Sequence, residues 1–171
     1  MELQIFNAIH SLAGQSKLLD WVALLLANYL GYFLILGTAY FLFKEKDWKK
    51  RFLNLSFISL AVILSRGLLT EIIRFFYFRP RPFVALEFEP LFNHSALQAA
   101  FPSGHAAFYF ALAFAIFFIN RRLGVWYTIG AVFMGLARVY AGVHWPLDIV
   151  AGALVSLLSV FVVKWLLEKV R

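Results

Sequence analysis

Five long apolar blocks separated by short polar segments dominate the chain, at about residues 18–43, 53–76, 103–119, 123–142 and 146–168. A bilayer crossing takes about 20 predominantly apolar residues. Each block is therefore read as a spanning segment, the third being the shortest. In lipid a spanning segment must satisfy its own backbone polar groups, which a helix does. The pattern predicts an all-α fold, a polytopic membrane helix bundle with about five transmembrane helices. Residues 3–13 follow a different pattern. Ile5, Phe6, Ile9, Leu12 and Ala13 share one helical face, while Gln4, Asn7 and His10 fall elsewhere. This stretch is too short to cross, and it predicts an interfacial amphipathic helix.

Composition agrees. Of 171 residues, 63% are hydrophobic, 19% aromatic and only 15% charged, against about 25% charged in an ordinary globular chain. That balance excludes a water-soluble domain and a disordered one. The length allows one integral membrane domain over residues 1–171 and no soluble accessory domain. With no cysteine, disulfides, thiolate metal sites and a cysteine nucleophile are excluded. The opening Met1-Glu2-Leu3-Gln4 lacks the basic start of a signal peptide.

The net charge of +7 does not point to nucleic acid, because the basic residues sit in short loops between apolar blocks. Lys44, Lys46, Lys49, Lys50 and Arg51 fill one loop, Arg121 and Arg122 another, and Lys169 and Arg171 the C-terminal end. With five spans these places share one side, and the positive-inside rule assigns them to the cytoplasm. The N-terminal helix, the loop 77–102 and the turn 143–146 then face outward. Trp21, Trp48, Trp126, Trp145 and Trp165 lie near the expected span ends, as an aromatic belt requires.

The expected outer face collects residues able to do chemistry. Arg74, Arg79, Arg81 and Arg138 gather where the positive-inside rule disfavours them, and Arg forks match phosphate oxygens. One arginine alone would do no more than reach for headgroups. Pro102-Ser103-Gly104-His105 opens the third block. Ser103 suits a helix cap, Gly104 leaves backbone N–H groups open, and such a helix start attracts anions. Its plain alternative is an ordinary cap with a surface histidine. His144 and Asp148 stand i, i+4 around Pro146, on one helical face. A carboxylate there fixes the tautomer of the imidazole, and an acidic residue inside a membrane helix is costly enough to suggest function. Asn93 or Ser95 is expected to cap a short helix running toward Ala100.

Together these parts resemble the three-part signature of the type 2 phosphatidic acid phosphatase superfamily, which shares its site with vanadium haloperoxidases. Arg74, Arg81 and Pro82 form the first part, residues 102–105 the second, and Arg138, His144 and Asp148 the third. The first position is usually lysine, and Arg74 keeps its charge. More narrowly, residues 5–10, the run Tyr77 to Ala85 and the compact size look like the bacterial undecaprenyl-diphosphate phosphatases of the bacitracin-resistance type.

The resemblance implies that His144 is the nucleophile and forms a phosphohistidine. It implies that Asp148 orients His144, and that His105 first protonates the leaving oxygen and then serves as base for water. Arg74, Arg81, Ser103, Gly104 and Arg138 are implied to bind the substrate phosphate. No carboxylate cluster suggests a magnesium site, so metal-independent turnover without a cofactor is expected. The implied partner is a polyprenyl diphosphate, or another lipid phosphate, held among membrane lipids. The implied location is the bacterial inner membrane, with the site facing the periplasm or cell exterior. The walls near Phe75, Phe76, Phe78 and Phe83 are candidates for the first isoprene units, with lipid-facing packing as the plain alternative.

Arg66 and Glu71 are expected to pair within the second span, with substrate contact by Glu71 the minority reading. Glu87 and Glu89 are read as solvating the loop and His94 as a loop residue. Rival readings keep the enzyme class but change the lipid, to phosphatidylglycerophosphate or phosphatidic acid. Another rival removes the chemistry and leaves a lipid-phosphate binding or transport protein. A channel lacks a polar stripe, and a haem site on His105 and His144 would not need the arginines.

Overall fold

Why the bundle holds together is clearest at its middle, where small residues let helices approach closely. The computed structural model describes residues 1–169 and contains helices but no strand among them. In chain order these are α1 (Glu2–His10), α2 (Lys17–Asn28), α3 (Leu30–Lys44) and α4 (Trp48–Val62). A π-helical stretch (Ile63–Leu69) continues α4 into α5 (Thr70–Phe76), and the short α6 (Pro82–Ala85), α7 (Gly104–Ile119), α8 (Arg121–Tyr140) and α9 (Pro146–Lys169) follow.

Three of these helical runs are long and apolar enough to cross a bilayer: Trp48–Phe76, Arg121–Tyr140 and Pro146–Lys169. The pair α2 and α3, bent by 43°, makes a fourth. With 16 residues, α7 rises only about 24 Å. It needs no more, because α8, α9, α4 and the π stretch surround it. Ala106, Ala107, Ala111, Ala113 and Ala115 of α7 are fully buried, and small residues at such contacts bring backbones close enough to pack in lipid. Ser65 and Ser156 both donate to the Ala107 carbonyl, at 2.8 and 2.9 Å, and join the π stretch to α7 and α9. Large apolar side chains such as Trp21, Leu154 and Phe161 point outward instead, as a lipid-facing surface requires.

The basic loops meet at one end, where Lys50, Ile119 and Lys164 line a single cleft. Arg171 lies outside the described residues. Trp21, Trp48, Trp126 and Trp165 are exposed, consistent with a belt, but Trp145 is buried. Its indole N–H donates to the Pro80 carbonyl at 3.0 Å; this ring is a structural prop rather than a membrane anchor.

The helix expected toward Ala100 does not form. Ser95 Oγ accepts only from the Leu97 N–H, at 3.3 Å. The Ala100 N–H donates instead to the Arg79 carbonyl at 2.8 Å, which ties the segment across the loop. The short helix of this loop is α6, started by Pro82 in its first turn.

Candidate active site

Arg81, His144 and the start of α7 converge at the end of the bundle opposite the basic loops. The turn between α8 and α9 delivers His144. Gly142 takes φ +78° there, and a Cβ on it would stand 2.5 Å from the Phe88 ring. Only glycine fits both the angle and the space. α1 closes over this turn. Phe6 is fully buried against Trp145 and Phe88. His10, expected on the polar side, turns inward; its Nδ1 lies 2.8 Å from the Tyr140 carbonyl and its ring stacks on Phe6. The two residues sit one helical turn apart, so both reach the same buried face.

His144 and Asp148 are almost completely buried. Nδ1 of His144 faces Asp148 Oδ2 at 3.3 Å. Since the carboxylate only accepts, its partner is Nδ1–H, and this makes Nε2 the acceptor of the ring. Nε2 faces Arg81 Nη1 at 3.3 Å. Asp148 is itself held on both oxygens: Oδ2 accepts from the Trp145 N–H at 2.8 Å and Oδ1 from Arg79 at 2.9 Å. Arg79 reaches on to Glu2 at 2.7 Å. α1 is thereby linked through one guanidinium to the carboxylate behind His144.

The second motif is joined to the third by backbone. Ser103 caps α7, its Oγ accepting from the Ala106 N–H at 3.4 Å. The Ser103 N–H donates to the Asp148 carbonyl at 2.9 Å. This approach requires Gly152, since a Cβ there would stand 2.8 Å from the Ser103 carbonyl oxygen.

A cleft of about 340 Å³ opens beside these groups. Five of the expected site residues line it: Arg74, Arg81, Gly104, His105 and His144. The other three stand behind it. Ser103 is buried as the cap, Asp148 backs His144, and Arg138 is buried near the cleft. Arg138 donates from Nη2 to the Ala27 carbonyl at 3.1 Å, while its Nε and Nη1 are buried without a partner. A buried guanidinium so poorly satisfied is costly, and an anion in the cleft would offset the cost. Arg74 donates to the Pro102 carbonyl at 3.0 Å, and Arg81 to the Val143 carbonyl at 2.8 Å.

Beside the apolar wall, three lining residues were not assigned to the site from sequence: Arg66, His94 and Gln98. His94 is more than a loop residue. It lines the cleft with a buried Nδ1 that lacks a partner. Burial, reinforced by the Arg81 and Arg138 charges, pushes it down to about 4. Burial and the same two arginines hold His144 well below the ordinary histidine range. A neutral imidazole whose Nε2 lone pair is held only by Arg81, a group that a phosphate in the cleft would draw away, suits nucleophilic attack on an anionic, electrophilic phosphorus. The apolar side of the cleft comes from Ile35, Phe108 and Tyr109. Phe75, Phe76 and Phe78 are exposed to the outside, and none of them, nor Phe83, lines it. Those phenylalanines follow the outer face of α5 and its exit rather than the face toward α7.

Comparison with known proteins identifies the family and the fold. The PAP2 superfamily profile matches residues 54–171, and the chain belongs to that superfamily. It is a multi-pass membrane protein. It is 32% identical to undecaprenyl-diphosphatase BcrC of Bacillus subtilis over 163 residues, covering 94% of this chain and 81% of that protein. Its fold is similar to that of Aquifex aeolicus LpxE, with TM-score 0.76 and 27% identity over 95% of this chain and 93% of that one. It is also similar to a PAP2 type phosphatidylglycerolphosphate phosphatase from Bacillus subtilis, with TM-score 0.63 and 26% identity over 99% of this chain and 87% of that one.

Proposed function

We propose that this membrane lipid phosphatase hydrolyses undecaprenyl diphosphate to undecaprenyl phosphate through a phosphohistidine on His144. The observation that carries the chemistry is the orientation of His144: Asp148 occupies Nδ1, and Nε2 faces the arginine-lined cleft. Nε2 attacks the terminal phosphorus, and the bond from that phosphorus to the bridging oxygen breaks. His105 gives its proton to the departing monophosphate. Water then attacks the phosphohistidine, His105 takes a proton from it, and inorganic phosphate leaves. Arg74, Arg81 and Arg138 balance the charge on the equatorial oxygens together with the α7 N-terminus at Gly104. Ser103 serves this site by capping α7. Likeness to BcrC over most of the chain supports the substrate.

The test is phosphate release by detergent-purified protein from undecaprenyl diphosphate, phosphatidylglycerophosphate and phosphatidic acid, each with EDTA or magnesium. The expected result is fastest release from the diphosphate, unchanged by EDTA. A preference for phosphatidylglycerophosphate, which the likeness to the Bacillus subtilis phosphatase makes the second reading, overturns the substrate. A strict need for magnesium overturns the metal-independent route.

Two further outcomes are expected. Because His144 is held below the ordinary histidine range, its neutral form persists as pH falls. The acid limb of kcat/KM, which reports the free enzyme, is expected below the ordinary histidine value of about 6.5. A limb above that value contradicts the assignment. The site is also proposed to face away from the cytoplasm of a bacterial inner membrane, because the basic loops meet at the opposite end. The chain has no cysteine, and Leu97 is 90% exposed in the loop 77–102. Leu97→Cys is expected to react with an impermeant maleimide in spheroplasts. Labelling only after lysis reverses the orientation.

A further inference from the structure

We infer that Arg66 forms a subsite for the second phosphate of a lipid diphosphate, next to the site of phosphoryl transfer; the inference rests on the phosphatase reading above. Arg66 lies on the π-helical stretch Ile63–Leu69. Such stretches shift the helical register, and they recur at functional sites. Here the register brings Arg66 across the start of α7: its Nε stands 2.7 Å from where a Cβ on Gly104 would be. Gly104 directly precedes His105, and Arg66 lines the same cleft as Arg74, Arg81 and His144.

In-line transfer places the leaving oxygen on the far side of phosphorus from His144. With His105 as its proton donor, that oxygen lies beside the α7 start. In a diphosphate the leaving oxygen carries the second phosphorus, and the lipid tail follows. The tail needs the apolar side of the cleft, formed by Ile35, Phe108 and Tyr109. The second phosphate then falls between His105 and those residues, in the part of the cleft where Arg66 crosses Gly104. A phosphomonoester places no phosphate there.

Arg66 is paired with Glu71, which also approaches Arg74 at 3.5 Å. The Glu71 side chain is 51% exposed, so this carboxylate is only loosely committed. It neutralises Arg66 until a phosphate displaces it, and the pair is then part of the site rather than merely structural.

The test is binding of methylenediphosphonate and methylphosphonate to the detergent-purified chain by isothermal titration. Neither is cleaved by phosphoester hydrolysis. The wild type is expected to prefer the diphosphonate by about 10-fold or more, as a charge-assisted contact supplies. Arg66→Ala is expected to bring the two affinities together while methylphosphonate still binds, and to raise KM for undecaprenyl diphosphate. Retained preference in Arg66→Ala, equal loss of both ligands, or no preference in the wild type overturns the subsite. If thermal unfolding in detergent shows Arg66→Ala to be misfolded, Arg66→Lys replaces it. Part of the preference must then survive, and an undiminished preference counts against the subsite. A wild type that prefers the diphosphonate but leaves undecaprenyl diphosphate uncleaved overturns the substrate reading and leaves the subsite standing.

Discussion

Replacing His144 with alanine is expected to remove phosphate release almost entirely, with kcat down at least about 10³-fold, the scale seen when a covalent nucleophile is deleted. Nothing else in the cleft offers an equivalent atom. His94 has a neutral ring, but its Nδ1 is buried, and no carboxylate among the described residues holds its tautomer. His105 stands at the α7 start, where the proposed leaving group departs. The substitution is expected to leave the fold intact, because Asp148 keeps its bonds to the Trp145 N–H and to Arg79. Unfolding temperature in detergent checks this, and titration with methylphosphonate checks that the arginines still bind. The direct evidence is a base-stable, acid-labile phosphoryl label on the wild type after rapid quench, absent from His144→Ala. Full phosphate release by the variant would mean a different nucleophile, whereas a wild type that releases none from any of the lipids would favour a lipid-phosphate binding protein.

The five apolar blocks were legible because lipid imposes a simple rule on each segment separately, although only three, or four with the bent α2 and α3 pair, are long and apolar enough to cross. The shortness of α7 was visible as well, and its reason is enclosure by other helices, which no single segment reveals. The order of Arg74, Arg81, residues 102–105, Arg138, His144 and Asp148 was legible for a similar reason, since each part is local in the chain. What escaped depends on distant contacts. Arg79 bonds to Asp148 across 69 positions and to Glu2 across 77. Periodicity therefore shows α1 as an amphipathic surface helix and says nothing of its buried Phe6 or of the inward turn of His10. His94 looked like any loop residue until the segment after it was tied to Arg79 through Ala100. The π stretch has no propensity signal of its own. The stretch redirects Arg66 among apolar residues, and the sequence showed there only the pairing of Arg66 with Glu71.

Asp148→Asn is expected to lower kcat by roughly 10³-fold or more, since an amide in place of such a carboxylate presents the imidazole in the wrong tautomer. The donor count shows why. The two carboxylate oxygens accept from three groups: His144 Nδ1–H, the Trp145 N–H and Arg79. Asparagine keeps one acceptor and gains an NH2 that can only donate. In the Oδ2 place its oxygen still accepts from Trp145 and His144 while the NH2 faces Arg79; exchanged, the NH2 faces both Trp145 and His144. Facing His144, it converts Nδ1 into an acceptor and moves the proton to Nε2, where the attacking lone pair is needed. Facing Arg79, it sets donor against donor and opens the link to Glu2. Either route leaves binding of methylphosphonate near wild type while turnover falls, so kcat bears the loss rather than KM. Glu2→Gln, one step further from the histidine, keeps the carboxylate at 148 and is expected to cost about 10-fold or less, the cost of weakening one charge-assisted bond. Equal losses in the two variants would mean that the α1 link, rather than the tautomer of His144, limits the reaction.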